Sequence, residues 1–323
     1  MSGKRSQIVI ADRAGLPYSK GLMASSIMAT GLAPYRAYEV AERIETELLD
    51  ASRYQITREE LRDIATRMIA DVVGQRYAET YRNWQAVEEL DLPLIIMIGG
   101  TTGVGKSTIA TQLAARLGIT RIISTDAIRE VMRSLFSERI MPALHTSSFE
   151  AADAVRGPLP KSADRAIVGF EEQVRAVAVA AEALIERSVF EGTDLIMEGA
   201  HLVPGFVESP PWSPPWEDKA VVVQILITVD DEDVHRSHFF LRGTEAGQRN
   251  VDRYLKSFDN IRKVQKYIRQ LAVQNGTPVF SSYSLDATLA AVIDHVVGKA
   301  VERTKSAHPE AELRGDMVTK EKT

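Results

Sequence analysis

The chain has 323 residues, 45% hydrophobic and 26% charged, with a formal net charge of −5, which suits two domains or one large domain with an appendage. It contains no cysteine, so disulfides, thiolate metal sites and cysteine nucleophiles are excluded, and its acidic balance argues against broad nucleic-acid binding. No apolar run approaches the ~20 residues needed to cross a bilayer, and the opening MSGKRSQIVIADR lacks the apolar core of a secretory signal; a cytoplasmic address and no membrane partner are expected.

Residues 1 to 90 read as mostly helical. Gln7–Ile10 is a short apolar start and Gly15-Leu16-Pro17-Tyr18 a turn. Helices are expected around Ser19–Thr30, Ala33–Leu49 and Thr57–Glu89. In the second, Ala37, Val40, Ala41, Ile44 and Leu48 recur at helical spacing. The third opens on a capping box, Thr57-x-x-Glu60, and Gly74 is a candidate break within it.

After Asp91-Leu92-Pro93 the pattern changes. Leu94–Ile98 is a continuous apolar run, as in a parallel strand buried on both faces. A helix from Lys106 to Leu117, a strand Arg121–Ser124 and a helix Ala127–Phe136 follow, then an irregular stretch from 137 to 165 and a helix Ala166–Arg187. Further strands are read at Leu195–Met197, Val221–Val229 and Pro278–Phe280, with a Pro-rich loop from Glu208 to Trp216. Strands alternating with helices predict an α/β fold with a doubly wound parallel sheet over residues 91–300. Residues 301–323 are nearly free of large apolar side chains and read as a mobile tail.

Gly100-Thr101-Thr102-Gly103-Val104-Gly105-Lys106-Ser107 matches G-x-x-x-x-G-K-[ST] between that apolar strand and an amphipathic helix. The glycines let successive backbone N–H groups converge on phosphate oxygens, and the helix N-terminus adds its positive end. Lys106 would reach the β- and γ-phosphates and the Ser107 hydroxyl would take Mg²⁺, so ATP and Mg²⁺ are the expected cofactors. Asp126, at the carboxyl end of the next strand, can activate an acceptor hydroxyl or hold the metal through water; otherwise it caps the following helix. Arg129, one turn on, could grip an anionic substrate. Glu198, ending the third strand, reads as the carboxylate that polarises metal-bound water, or as a local hydrogen-bond anchor. His201 reads as a satisfied loop histidine. Arg236 and Arg242 fall where a kinase lid would place arginines to neutralise charge in transit, or are solvated helix charges. The basic run from Arg249 to Arg269 reads as a solvated face, with one or two members reaching an acidic metabolite; a nucleic-acid patch is the alternative. His235 and His238 have no third ligand nearby, so no zinc site is expected.

These segments resemble the 2-phosphoglycerate kinases of cyclic 2,3-diphosphoglycerate metabolism over most of residues 1–297. The resemblance is carried by Ile98–Thr108, Ser124–Val131, Leu144–Ala151, Met197–Pro204 and the Arg236/Arg242 pair. It implies a P-loop kinase that moves the γ-phosphoryl group of ATP to the 3-hydroxyl of 2-phosphoglycerate, giving 2,3-bisphosphoglycerate. Carried onto this chain, it implies that Gly100 to Thr108 bind nucleotide and that Ser107 and Glu198 hold the metal. Lys106, Asp126, Arg236 and Arg242 would be catalytic, and Asp126, Arg129, Ser147, Ser148 and Glu198 would line the acceptor site, whose partner is a small anionic phosphorylated metabolite. The chain is also similar to plant proteins of inositol phosphate metabolism, and residues 1–90 resemble an ATP-cone, a small helical nucleotide-binding module that often acts as a regulator; the alternative is a relic used for packing or homo-oligomer contacts. A nucleic-acid-end kinase and a nucleotide-gated regulatory ATPase are the alternative classes.

Overall fold

The computed structural model describes residues 8–10, 16–88, 92–211, 213–246 and 248–307. They fall into two compact units, Met1–Asp91 with Leu289–Thr323, and Leu92–Thr288. In the first, β1 (Val9–Ile10) pairs antiparallel with β2 (Leu16–Pro17) and parallel with β3 (Gln55–Ile56). Four helices accompany this small sheet: α1 (Lys20–Met28), α2 (Pro34–Asp50), α3 (Arg58–Val73) and α4 (Gln75–Glu88). Ala37, Val40, Ala41, Ile44 and Leu48 are buried together, as their spacing predicts. The capping box forms in both directions: Glu60 N donates to Thr57 Oγ1 at 3.2 Å, and Thr57 N to Glu60 Oε2 at 2.9 Å. The stretch Thr57–Glu89 is two helices, parted at Gly74. The little sheet is an addition to the expected helices, because two-residue strands carry no alternation for a sequence to show.

The second unit is wound around β4 (Leu94–Gly99), whose residues are all buried. Along the chain come α5 (Lys106–Leu117), β5 (Ile122–Ser124), α6 (Thr125–Leu135), α7 (Arg165–Glu191), β6 (Leu195–Gly199), β7 (Val221–Thr228), α8 (Glu232–Ala246), α9 (Gln248–Lys256), α10 (Phe258–Gln274) and β8 (Val279–Ser281). The strands form one parallel sheet in the order β5-β6-β4-β7-β8. Ile95, Ile96 and Ile98 of β4 and Leu195, Ile196 and Met197 of β6 are removed from water, each contributing roughly 1.5–3 kcal/mol of burial. All five strands end on one edge, where ligands of such sheets bind. Between α6 and α7 the irregular stretch holds two 3₁₀ turns, Pro142–His145 and Ala151–Ala154.

The last helix, α11 (Leu285–Ala307), crosses the boundary between the units. Sequence placed residues up to 300 with the parallel sheet, whereas from Leu289 on they group with the first unit. Ala290 lies against Gly31, and Asp294 accepts hydrogen bonds from Thr80 Oγ1 (3.3 Å) and Arg76. The helix runs seven residues past Ala300; the rest of the expected tail lies outside the described residues.

Candidate active site

Gly99 ends β4, and the chain turns through Gly100–Gly105 into α5, which begins at Lys106. Lys106 is buried, with its Nζ donating to the Thr101 carbonyl at 2.8 Å across the loop. On β6, the register pairs Ile98 with Glu198, which brings the Glu198 carboxylate to the head of α5. Ser107 Oγ donates to Glu198 Oε1 at 3.0 Å. A hydroxyl and a carboxylate, both hard oxygen donors, therefore meet beside the phosphate loop.

Beyond β6 lies β5, with Ser124 opposite Glu198. Ser124 is the N-cap of α6, and its side chain accepts from Asp126 N at 3.2 Å. Asp126 therefore has no capping duty: it sits in the first turn with its side chain 69% exposed. Arg129 lies along the same helix, its Nε 3.8 Å from Asp126 Oδ1. One guanidinium nitrogen of Arg129 donates to the carbonyls of Leu144 (2.8 Å) and Thr146 (3.2 Å), so the arginine fastens the segment leading to Ser147 and Ser148.

The same segment is held from its other side through a fully buried histidine. Gln173 Nε2, on α7, donates to the carbonyls of Ala143 and Thr146. Those bonds fix its amide orientation, so Gln173 Oε1 accepts from His201 Nε2 at 2.9 Å. Burial pushes the His201 pKa down from 6.5 to about 4, leaving a neutral ring whose Nδ1 accepts from Thr125 Oγ1 at 2.8 Å. Thr125 fits because Gly199 carries no side chain; a Cβ there would lie 1.7 Å from Thr125 Oγ1. The run Glu198-Gly199-Ala200-His201 thus offers a carboxylate to the phosphate loop, a gap to α6 and an imidazole to α7.

No family model matches the chain. The 2-phosphoglycerate kinase of Pyrococcus furiosus is 36% identical over 301 residues, covering 92% of this chain and 96% of that protein. That of Methanothermobacter thermautotrophicus is 37% identical over 287 residues, covering 88% and 92%, and that of Thermococcus kodakarensis 36% over 298, covering 91% and 99%. The chain belongs to the 2-phosphoglycerate kinase family. Among solved structures, a gluconokinase from Sinorhizobium meliloti shares 15% identity, covering 67% of this chain and 98% of its own, with a TM-score of 0.33.

As a member of a 2-phosphoglycerate kinase family, the chain is a phosphotransferase with an alcohol acceptor, and the remaining expected residues of this kinase lie on α8 and the 142–150 segment. Arg236 stacks on Phe258, its guanidinium carbon 3.7 Å from the ring centroid. Arg242 lies on α8, but its side chain falls outside those described. Ser147 Oγ accepts from Arg253 at 2.6 Å, and Arg253 also grips Glu150, so one member of the basic run is committed to the segment below it. Residues whose contacts here sequence reading did not anticipate are Thr125, Gln173, His235, His238 and Arg253. Gln173 had a signal: it is the polar member of α7's otherwise apolar or small buried face at Ala166, Gly169, Phe170, Val174 and Val177. No helix among the described residues is long and apolar enough to cross a membrane.

Proposed function

We propose that this kinase transfers the γ-phosphoryl group of ATP to the 3-hydroxyl of 2-phosphoglycerate, giving ADP and 2,3-bisphosphoglycerate. The observation that carries the phosphoryl-transfer chemistry is the Ser107–Glu198 hydrogen bond across α5 and β6, beside a complete phosphate loop. The names of its relatives supply the acceptor.

In this reading the N–H groups from Gly100 to Thr108 and the Lys106 ammonium bind the nucleotide phosphates. The Ser107 hydroxyl and the Glu198 carboxylate fit magnesium, a hard cation that takes one or two protein oxygens along with phosphates and water. Bound there, the ion would supply charge neutralisation. Asp126 faces solvent at the carboxyl end of the sheet and accepts the proton of the 3-hydroxyl as its oxygen bonds to phosphorus; the bond from phosphorus to the β-phosphate oxygen breaks, and ADP leaves. Arg129 serves the acceptor through the segment that it fastens, and Ser147 and Ser148 line that segment. Arg236 and Arg242, both on α8, are assigned to neutralise charge on the group in transit and to exclude water.

The test is ADP release over a panel of phosphoglycerates, inositol phosphates and oligonucleotides, with the product identified by phosphorus NMR. Release dependent on 2-phosphoglycerate is expected, and Lys106→Ala should lower it by roughly 10²–10³. Release that is independent of acceptor, or that prefers an inositol phosphate or a nucleic-acid end, would overturn the assignment.

A further inference from the structure

The phosphate loop faces two ways. If its N–H groups converge on an anion, its carbonyls point outward, and an outward carbonyl shielded from water needs a donor. Helix α8 provides two. His235 Nε2 donates to the Thr102 carbonyl at 2.9 Å, and His238 Nδ1 to the Gly103 carbonyl at 2.8 Å. Phe239, fully buried, lies against Gly103: a Cβ at that glycine would meet two ring carbons at 2.6 Å, and its φ of +88° already suits glycine. Positions 235, 238 and 239 share one helix face, so one turn of α8 covers two successive loop residues.

The proton on His235 is also assigned by its surroundings. An Arg262 nitrogen lies 3.4 Å from His235 Nδ1; a guanidinium only donates, so Nδ1 carries the lone pair and Nε2 the proton. Arg262 is in turn fixed by the carbonyls of Val229 (2.6 Å) and Asp230 (2.8 Å), just beyond β7. Burial pushes His235 down to about 4, with Arg262 contributing in the same direction, so this neutral tautomer persists through physiological pH. Stacking of His235 on Phe239 at 5.4 Å, and its edge contact with Phe258 at 5.5 Å, complete the seat.

We propose that His235 and His238 are positioning residues for nucleotide binding: they fasten the Thr102 and Gly103 carbonyls outward and so hold the loop's N–H groups open to phosphate. The inference rests on the loop being the nucleotide site of a kinase and is indifferent to which alcohol is the acceptor. It also ties the loop to the helix that carries Arg236, so the loop and the arginine are placed by one element.

The experiment uses the geometric mimicry of amides. Asn presents a donor near the position of an imidazole Nδ1, and Gln near that of Nε2. Nucleotide affinity is measured by calorimetry with ADP and with a non-hydrolysable ATP analogue, each with magnesium, alongside KM for ATP and for the acceptor. His238→Ala is expected to weaken nucleotide binding about tenfold, the range for leaving a shielded carbonyl without its donor, and His238→Asn to recover most of it. His235→Gln and His235→Leu should behave as the same pair. His238 is only half-buried, so its variants serve if those at His235 do not fold. Equal losses in Ala and Asn would reduce the contact to packing and overturn the proposal, as would unchanged nucleotide affinity in folded His238→Ala or an effect confined to acceptor KM. Wild-type protein that binds nucleotide but ignores 2-phosphoglycerate would sink the acceptor assignment alone; wild-type protein that binds no nucleotide would sink both.

Discussion

At the scale of single residues, the division of labour between Ser124 and Asp126 decides what a carboxylate at the end of β5 is for. An Asp in the first turn of a helix is favoured by the helix dipole, and a capping role would make it purely structural. The cap is Ser124, whose hydroxyl takes the Asp126 N–H, and the Asp126 carboxylate is left facing solvent. The two functions can therefore be separated. Ser124→Ala should cost about 1 kcal/mol of stability and lower the melting temperature. Asp126→Asn should lower kcat by roughly 10²–10⁴, the span for a positioned general base, with little change in melting temperature. Thermal melts and steady-state kinetics on both variants decide it. A melting loss in Asp126→Asn at near-normal kcat would return the carboxylate to a structural role.

At the scale of elements, His201 joins parts of the fold that are distant in sequence: it lies two residues beyond β6, α6 meets it through Thr125, and α7 through Gln173, which passes the contact on to residues 143–146. Burial holds its folded pKa near 4, with Arg129 and Lys106 adding to that and Asp126 opposing it, against 6.5 when unfolded. Between those two values the unfolded chain binds more protons, so this group's contribution to stability is complete above pH 6.5 and is lost as pH falls towards 4. His201→Gln removes the titration. Its melting temperature should fall less steeply than wild type between pH 6.5 and 4, with the His235 contribution remaining in both; parallel profiles would show that the buried ring does not carry the penalty. The same network shows why some of the site was legible and some was not. The phosphate loop, Asp126 and Glu198 declare themselves locally, because each follows or ends a short apolar run that reads as a buried strand. Gln173, His235 and His238 act on backbone carbonyls far away in the chain, and which helix face meets which loop is a result of packing that no local pattern contains. The α2 stripe and the Thr57 capping box were readable for the opposite reason, since both depend on neighbours within a turn.

At the scale of the whole molecule, the course of α11 bears on where the chain can be cut. Every residue proposed for phosphoryl transfer lies between Gly100 and Arg253, inside the unit Leu92–Thr288. A fragment starting near Asp91 and running to the end would keep all of those residues. The structure argues for a different end point. Leu289, Val292, Ile293, Val296 and Val297 are almost wholly buried, and the polar anchors of this stretch, Arg76 and Thr80 on Asp294, belong to the first unit, as does Gly31 beneath Ala290. A fragment 92–323 would keep those five side chains while losing the unit that groups with them, and an apolar stripe of that length invites association. A fragment 92–288 removes the stripe along with the unit. The shorter fragment should therefore be the more soluble and monodisperse of the two, and should retain 2-phosphoglycerate-dependent ADP release. The converse cut, 1–288, should lower the melting temperature of the first unit, because its core loses several large side chains, each worth on the order of 1.5–3 kcal/mol. Light scattering and kinetics on the three fragments test the partition. A monodisperse, active 92–323 beside an aggregated 92–288 would show that α11 belongs with the parallel sheet after all.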